Sequence, residues 1–286
     1  MLVASPPRPS SALRFAVSPA ARTQVGIFAV AYLLYSAARW VTVGDFDAAR
    51  AHAHWIVSLE HHLGVAVEAS VQHALTGTWA LWVLNHLYLA AQLVVLPGAL
   101  VFLYHRSRPV YARLRNTVLA TWLISIPVYG LFPVAPPRLA NVGLIDTISS
   151  QTGFAMDSSL TTSFYNQLAA VPSLHVGFAT AIGVALAAAL RHPVLKALAL
   201  LWGPAIGLAV VATGNHFVFD IAAGLVASGL GYAAGAVAAA AIARRRRTAS
   251  RPWRSSSRAR SRRRSRRARR RCRTRSGCRW PRPRGR

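Results

Sequence analysis

The chain has little acid. Seven Asp and Glu stand against 34 Lys and Arg, a net charge of +27. The shortage is uneven: residues 244–286 hold 22 arginines in 43 positions and no acid, while residues 1–243 hold the other 12 basic residues and all seven acids. The body is therefore close to neutral, and the charge is a tail. Cysteine is nearly missing too. Cys272 and Cys278 both lie in that tail, which excludes a disulfide scaffold. No small-residue cleavage site follows an early apolar stretch, so the start of the chain does not read as a cleavable signal peptide. Long polar regions are also lacking from the body. With 53% hydrophobic residues and a mean hydropathy of +0.33, the chain is neither a disordered protein nor, given how its apolar residues cluster, a soluble domain.

What is there is a series of apolar runs at about 24–43, 79–104, 117–135, 174–190, 194–213 and 217–242. Most approach the roughly 20 residues a helix needs to cross the hydrocarbon of a bilayer. The expected fold is an all-α integral membrane protein, a six-transmembrane-helix bundle over 24–243. A disordered cytoplasmic arm (1–23) precedes it and a disordered Arg-rich tail (244–286) follows. Orientation follows from the basic residues. Arg8, Arg14 and Arg22, then Arg106, Arg108, Arg113 and Arg115, then Arg191 and Lys196, and finally the tail all fall on one face. That face is cytoplasmic, with both termini, in a multi-pass protein of the cell membrane. The other face keeps Arg39, Arg50, Arg138 and all seven acids.

The tail invites a nucleic-acid reading. Trp253 and Trp280 are its only aromatic residues and it carries no folded motif, so anionic lipid head groups are the better partner and no specific nucleic acid is expected. Residues 44–78, with Trp55, Ile56, Leu59, Leu63 and Val67 near helical spacing, read as an amphipathic helix lying along the interface. His52, His54, His61, His62 and His73 in the same loop give no clean ligand pair on one helical face, so no metal is expected. Residues 136–173 read as an irregular cap. Gly203-x-x-x-Gly207 and Gly231-x-x-x-Gly235 suit close helix packing in a membrane.

Three segments at the outer ends of separate runs carry polar residues that lipid does not favour: Phe132-Pro-Val-Ala-Pro-Pro-Arg138, Val171-Pro-Ser-Leu-His175 and Gly214-Asn-His-Phe-Val-Phe-Asp220. His216 and Asp220, four apart, share one helical face. A carboxylate on one ring nitrogen leaves the other with a lone pair, which suits a nucleophile or general base. A structural His–Asp pair closing a helix is the alternative. Pro172 and Ser173 read as a helix start, which places His175 in a first turn whose free amides favour an anion such as phosphate. Taken alone, that segment is equally a cap with a solvent-facing His. Arg138 suits bidentate contact with phosphate oxygens or, alone, snorkelling to head groups. Arg39 is a weaker candidate of the same type. Together they form a phosphoryl-transfer set without an obligatory metal or other cofactor.

At these residues the chain resembles the type 2 phosphatidic acid phosphatase superfamily, whose signature is Lys-x6-Arg-Pro, Pro-Ser-Gly-His and Ser-Arg-x5-His-x3-Asp. Pro172-Ser173-Leu174-His175 and His216-x3-Asp220 carry the likeness, which covers about residues 25–243. Leu131 and Leu139 replace the Lys and Pro of the first motif, Leu174 the Gly of the second, and Ala209 and Val210 the Ser-Arg pair of the third. These departures are similar to the inositol-phosphotransferase branch, the inositol phosphorylceramide synthases. The resemblance implies a six-helix bundle with an outward-facing site and a lipid phosphate substrate. His216 would attack phosphorus to form a phosphohistidine, oriented by Asp220. His175 would protonate the leaving oxygen, and Arg138 would hold phosphate oxygens. Asn215, Thr213 and the helix amides at Ser173 are the candidates to replace the missing Arg. The alternative is a non-catalytic membrane protein that binds lipid phosphates in the same pocket.

Overall fold

The computed structural model describes residues 18–41, 45–164 and 166–249, leaving out the side chains of 38–41, 160, 163–164 and 246–249. Among the described residues every regular element is helical, and the one extended pairing is an isolated bridge between Val134 and Ala169. In chain order the helices are α1 (Pro19–Val41), α2 (Phe46–Leu63), α3 (Glu68–Leu75), α4 (Trp79–Arg106), α5 (Arg108–Leu131), α6 (Thr147–Thr152), α7 (Ser159–Phe164), α8 (Leu174–Ala189), α9 (Pro193–Ala212) and α10 (Val218–Ala249). A π-helical turn, Ala91–Val95, interrupts α4. The chain divides into two compact units, Met1–Ala236 and Val237–Arg286. In the second, Val237–Ala249 is helical.

Each expected span falls on a helix. Three of them, α4, α9 and Val218–Arg245 of α10, are long and apolar enough to cross a membrane. Among the described residues the other three do not reach that length or hydropathy. The apolar α8 has 16 residues. The first two turns of α5 carry Arg108, Arg113 and Arg115, and α1 opens with Arg22, Thr23 and Gln24. Three helices differ in their bounds from the sequence expectation. Helix α5 covers Arg108–Leu131 rather than 117–135. Helix α1 starts at Pro19, where Ser18 Oγ accepts the Ala21 amide at 3.1 Å, so 19–23 are helical rather than part of an arm. Helix α10 continues to Ala249, so the first residues of the expected tail are helical as well. The remaining arm (1–17) and tail (250–286) lie outside the described residues, as does the side chain of Arg39.

The amphipathic stretch is two helices rather than one. Asp45 caps α2 by accepting the Asp47 amide at 3.0 Å, and Gly64, at φ 69°, ends it. Of the expected apolar face only Ile56 is buried. The inward stripe is Ala49, Ala53, Ile56 and Glu60, packed on Val134, Ala135 and Phe217. Trp55, Leu63 and Val67 stay exposed. Small residues at 49 and 53 let the helix approach the chain after α5 closely, so size selected the packed face more than hydrophobicity did.

Helices α4, α5 and α8 enclose an apolar cluster of Leu103, Tyr104, Tyr111, Leu114, Val118, Phe178 and Ile182. A row of polar side chains on α5 is satisfied within the helix. Thr117, Thr121 and Ser125 on α5 each donate to the carbonyl four residues back, at 3.0, 2.7 and 2.8 Å, as apolar surroundings require. The expected glycine packing is partly observed. A Cβ at Gly231 would lie 2.2 Å from Thr121 Oγ1 and one at Gly203 2.7 Å from Thr180 Oγ1, whereas one at Gly207 would meet only Ile221 Cδ1 at 3.9 Å. Gly231→Ala should therefore lose about 1–3 kcal/mol to overpacking. Gly207→Ala should change stability by less than about 0.5 kcal/mol. Thermal unfolding in detergent reads both, and equal shifts would contradict the packing.

Candidate active site

A chain reversal delivers the third polar segment. Helix α9 ends at Ala212, and Gly214 adopts φ 70°, a conformation open to glycine at no steric cost. Space forbids a side chain there as well, since a Cβ would sit 2.8 Å from the Ile145 carbonyl oxygen. The amides of Asn215 and His216 both donate back to Val210 O, at 3.0 and 3.1 Å. His216 thus stands just ahead of α10, 5% exposed, and Asp220 in the first turn has no exposed surface. His216 Nδ1 lies 3.1 Å from Asp220 Oδ2, and the Phe217 amide donates to the same oxygen at 2.9 Å. With Nδ1–H on the carboxylate, Nε2 keeps its lone pair.

The second segment meets the third through its backbone. Ser173 Oγ accepts the Val176 amide at 3.5 Å as the N-cap of α8, which puts His175 in the first turn. The Ser173 amide donates to the Asp220 carbonyl at 3.1 Å, and Tyr129 Oη donates to Pro172 O at 3.0 Å. This contact is close because residue 224 is glycine: a Cβ there would fall 2.3 Å from Ser173 O. The His175 ring stacks on Tyr88, with centroids 4.1 Å apart and 20° between planes, and its centroid is 5.9 Å from that of His216.

Arg138 arrives on a short 3-10 turn, Pro137–Leu139, with its amide on Gly214 O at 2.9 Å. Its Nε donates to Asn215 Oδ1 at 3.0 Å and Nη1 to Asp157 Oδ1 at 2.9 Å, with Asp146 Oδ2 3.8 Å away. Asn215 Nδ2 in turn donates to Thr213 Oγ1 at 3.0 Å. Asn215 therefore orients Arg138, and Arg138 is ion-paired before any anion arrives.

These groups line a cavity of about 110 Å³ together with Tyr35, Tyr88, Gln92, Tyr129, Asn166 and Gln167. Of the six residues expected at the site, five meet there or directly behind it: His175, His216, Arg138 and Asn215 on its wall, with Asp220 behind His216. Ser173 is fully buried, is not on the wall and spends its hydroxyl on the cap. Thr213, also fully buried, acts through Asn215. Sequence reasoning missed the acids around Arg138. Asp146 was legible as an N-cap, since it directly precedes Thr147, the first residue of α6, and its Oδ1 accepts the Ile148 and Ser149 amides, each at 3.0 Å. Nothing local marks Asp157. The site end is held shut by side chains from distant helices. Asn85 on α4 donates to Thr147 O at 3.1 Å and Gln151 Oε1 at 2.9 Å. Gln72 on α3 donates to Ile145 O at 3.1 Å and Ala212 O at 3.2 Å.

The family model described as the PAP2 superfamily matches residues 54–234, a span that includes all three polar segments. No curated protein matches the chain. The crystal structure of LpxE from Aquifex aeolicus is similar at 16% identity, with a TM-score of 0.45, covering 59% of this chain and 92% of that one.

A small cavity with a guanidinium and two imidazoles on its wall suits a tetrahedral oxyanion. Asp157 is half-exposed and competes with such an anion for Arg138. An ion pair of that exposure is worth up to about 1 kcal/mol. Asp157→Asn should therefore tighten inorganic phosphate or orthovanadate by up to about fivefold, measured by calorimetry on the detergent-solubilised chain. Weaker binding would show that Asp157 holds Arg138 in place rather than competing for it.

Proposed function

The chain belongs to the PAP2 superfamily, and on that premise we propose that it is an integral membrane enzyme that moves the phosphoryl group of a lipid-linked phosphate through a phosphohistidine on His216. The observation that carries this reading is the His216–Asp220 pair set opposite His175 across a cavity that Arg138 also lines.

The Asp220 carboxylate holds His216 in the Nδ1–H form and supports the charge the ring gains, so Nε2 is the nucleophile. As the nitrogen–phosphorus bond forms, the bond from phosphorus to the lipid oxygen breaks, and His175 gives that oxygen its proton. In the second half His175 takes a proton from the incoming hydroxyl, whose oxygen attacks phosphorus and releases His216. Arg138 draws charge from the phosphoryl oxygens throughout. The family's third-motif Arg position is Val210, which is fully buried and apolar, so Arg138 with its Asn215 support is the guanidinium at this cavity. The cavity's volume, roughly that of four waters, fits a phosphoryl group and leaves the lipid chains outside.

The acceptor is water in a phosphatase and an alcohol in a transferase. The departures at Leu174, Ala209 and Val210 support the inositol-type transferase, and the neutral amides of Gln92, Asn166 and Gln167 on the cavity wall suit a polyol. In the membrane we place α1, α4, α5, α8, α9 and α10 as six spans, with both termini cytoplasmic and the cavity on the outer face, in keeping with the positive-inside bias.

His175→Ala should lower turnover of a lipid phosphate by about 10²–10⁴-fold. His216→Ala should leave no acid-labile phosphorylated protein after a pulse of labelled substrate. Full activity in both variants, in correctly inserted protein, would end the proposal. Product analysis with and without inositol then separates the acceptors, because free phosphate in both cases means hydrolysis.

A further inference from the structure

The chain's acids are few, and two of them are buried where the mechanism above does not use them. Glu60 on α2 is 2% exposed and Glu68 on α3 is 5% exposed. The left-handed turn at Gly64 folds α3 back so that both carboxyls reach the start of α10. There Glu60 Oε1 accepts the Phe219 amide at 2.6 Å and Glu68 Oε1 accepts the Val218 amide at 2.8 Å, while Asp220 Oδ2 accepts that of Phe217 at 2.9 Å. Three consecutive amides, orphaned at the helix start, thus each receive an oxygen from a different carboxyl group. An ordinary N-cap supplies a single side chain. Two of the three come from helices about 150 residues earlier. They also hold the turn that carries His216.

We propose that Glu60 and Glu68 are positioning residues for the reaction: the buried pair clamps the first turn of α10, fixing Asp220 and so the direction in which His216 Nε2 faces the substrate. This rests on the reading of His216 as the nucleophile. Glu60 Oε2 meets no N–H or hydroxyl donor, and the group beside it is the Glu68 carboxyl. Two carboxyls packed together in a dry site share a proton, one as donor and one as acceptor. Burial pushes Glu60 up from 4.5 to about 8, helped by the negative charges of Glu68 and Asp220 and opposed by its bond to the Phe219 amide. The charged groups facing it are Glu68 from α3 and Asp220 from α10. On its own helix, Arg50 is turned away to Leu139 O at 3.2 Å, and His52 to Pro133 O at 2.7 Å.

The folded chain thus keeps a proton on Glu60 from about pH 4.5 to about 8 that the unfolded chain releases. Stability from this group is full below 4.5 and is lost as pH rises through about 8. Above that, a second negative charge opens in the clamp and His216 loses its bearing. Glu60→Gln keeps an acceptor for the Phe219 amide and a donor for Glu68, so it copies the protonated state.

The test uses the full chain in liposomes, with kcat and KM against a lipid phosphate followed from pH 5 to 9.5, alongside thermal unfolding over the same range. Glu60→Ala should lower kcat by about 10²-fold, as a small misplacement of a reacting group does, with KM nearly unchanged. Glu60→Gln should restore kcat at neutral pH, remove the fall near pH 8, and flatten the loss of unfolding temperature between pH 4.5 and 8. Superimposable pH profiles of wild type and Glu60→Gln, in both activity and unfolding, would overturn the proposal, as would a folded Glu60→Ala variant of full kcat. If Glu60→Ala does not fold, the Glu60→Gln comparison decides alone. An inactive His216→Ala with Glu60 variants like wild type sinks only the clamp. A fully active His216→Ala sinks the nucleophile reading itself, and the unfolding curves still judge the shared proton.

Discussion

A carboxylate with no exposed surface must be matched by donors or it destabilises the fold by several kcal/mol. Asp220 is that group here. One oxygen takes the His216 ring and the Phe217 amide, and its backbone carbonyl takes the Ser173 amide. The residue therefore ties together two segments far apart in sequence, the loop that starts α8 and the turn that starts α10. The rest of the site end reads as the means of keeping that tie. Gly224 lets the two backbones touch, Gly214 turns the chain toward it, and Tyr129 closes the loop from behind.

Much of this was legible in the sequence because polar residues in greasy runs are expensive and have few reasons to be there. His175, His216, Asp220 and Arg138 were readable on that ground, and the helix start at Ser173 came from cap chemistry. Less legible was what each polar atom does once folded. The helix start at Ser173 offered amides for phosphate, yet the Ser173 amide donates to the Asp220 carbonyl and the Val176 amide to the Ser173 hydroxyl. Asn215 offered an amide, yet both ends are committed, one to Arg138 and one to Thr213. Local pattern names the residue and not its partner when the partner is a backbone amide elsewhere in the chain. Glu60 and Glu68 show this most clearly, since periodicity placed them on an amphipathic stretch while their function depends on Val218 and Phe219.

The same limit explains the misjudged face of α2. Hydrophobic spacing pointed to Trp55, Ile56, Leu59, Leu63 and Val67, while the contact that forms keeps Ile56 alone of these and adds Ala49 and Ala53. Close approach of a helix to an irregular segment rewards small side chains, because it lets a backbone amide on one side reach a carbonyl on the other: the Ala135 amide donates to Ala49 O at 3.1 Å. A scale of hydrophobicity carries no term for that.

The scarcity of acid takes on a sharper meaning once the partners are known. Asp45 and Asp146 cap helices, Asp157 pairs with Arg138, Glu60, Glu68 and Asp220 meet at the start of α10, and Asp47 stands in the first turn of α2. Six of these seven have their carboxyl at the start of a helix, where partial positive charge favours them. In an apolar chain a carboxylate persists where several amide donors converge, and the start of α10 is the place where they converge most densely. That density also gives His216 its orientation with its own ring, rather than a lysine or arginine, paired to Asp220. A lysine or arginine beside Asp220 would have satisfied the carboxylate as well, but it would have drawn the charge away from the imidazole. The Phe217 amide shares Oδ2 and leaves His216 as the one ionisable donor on it.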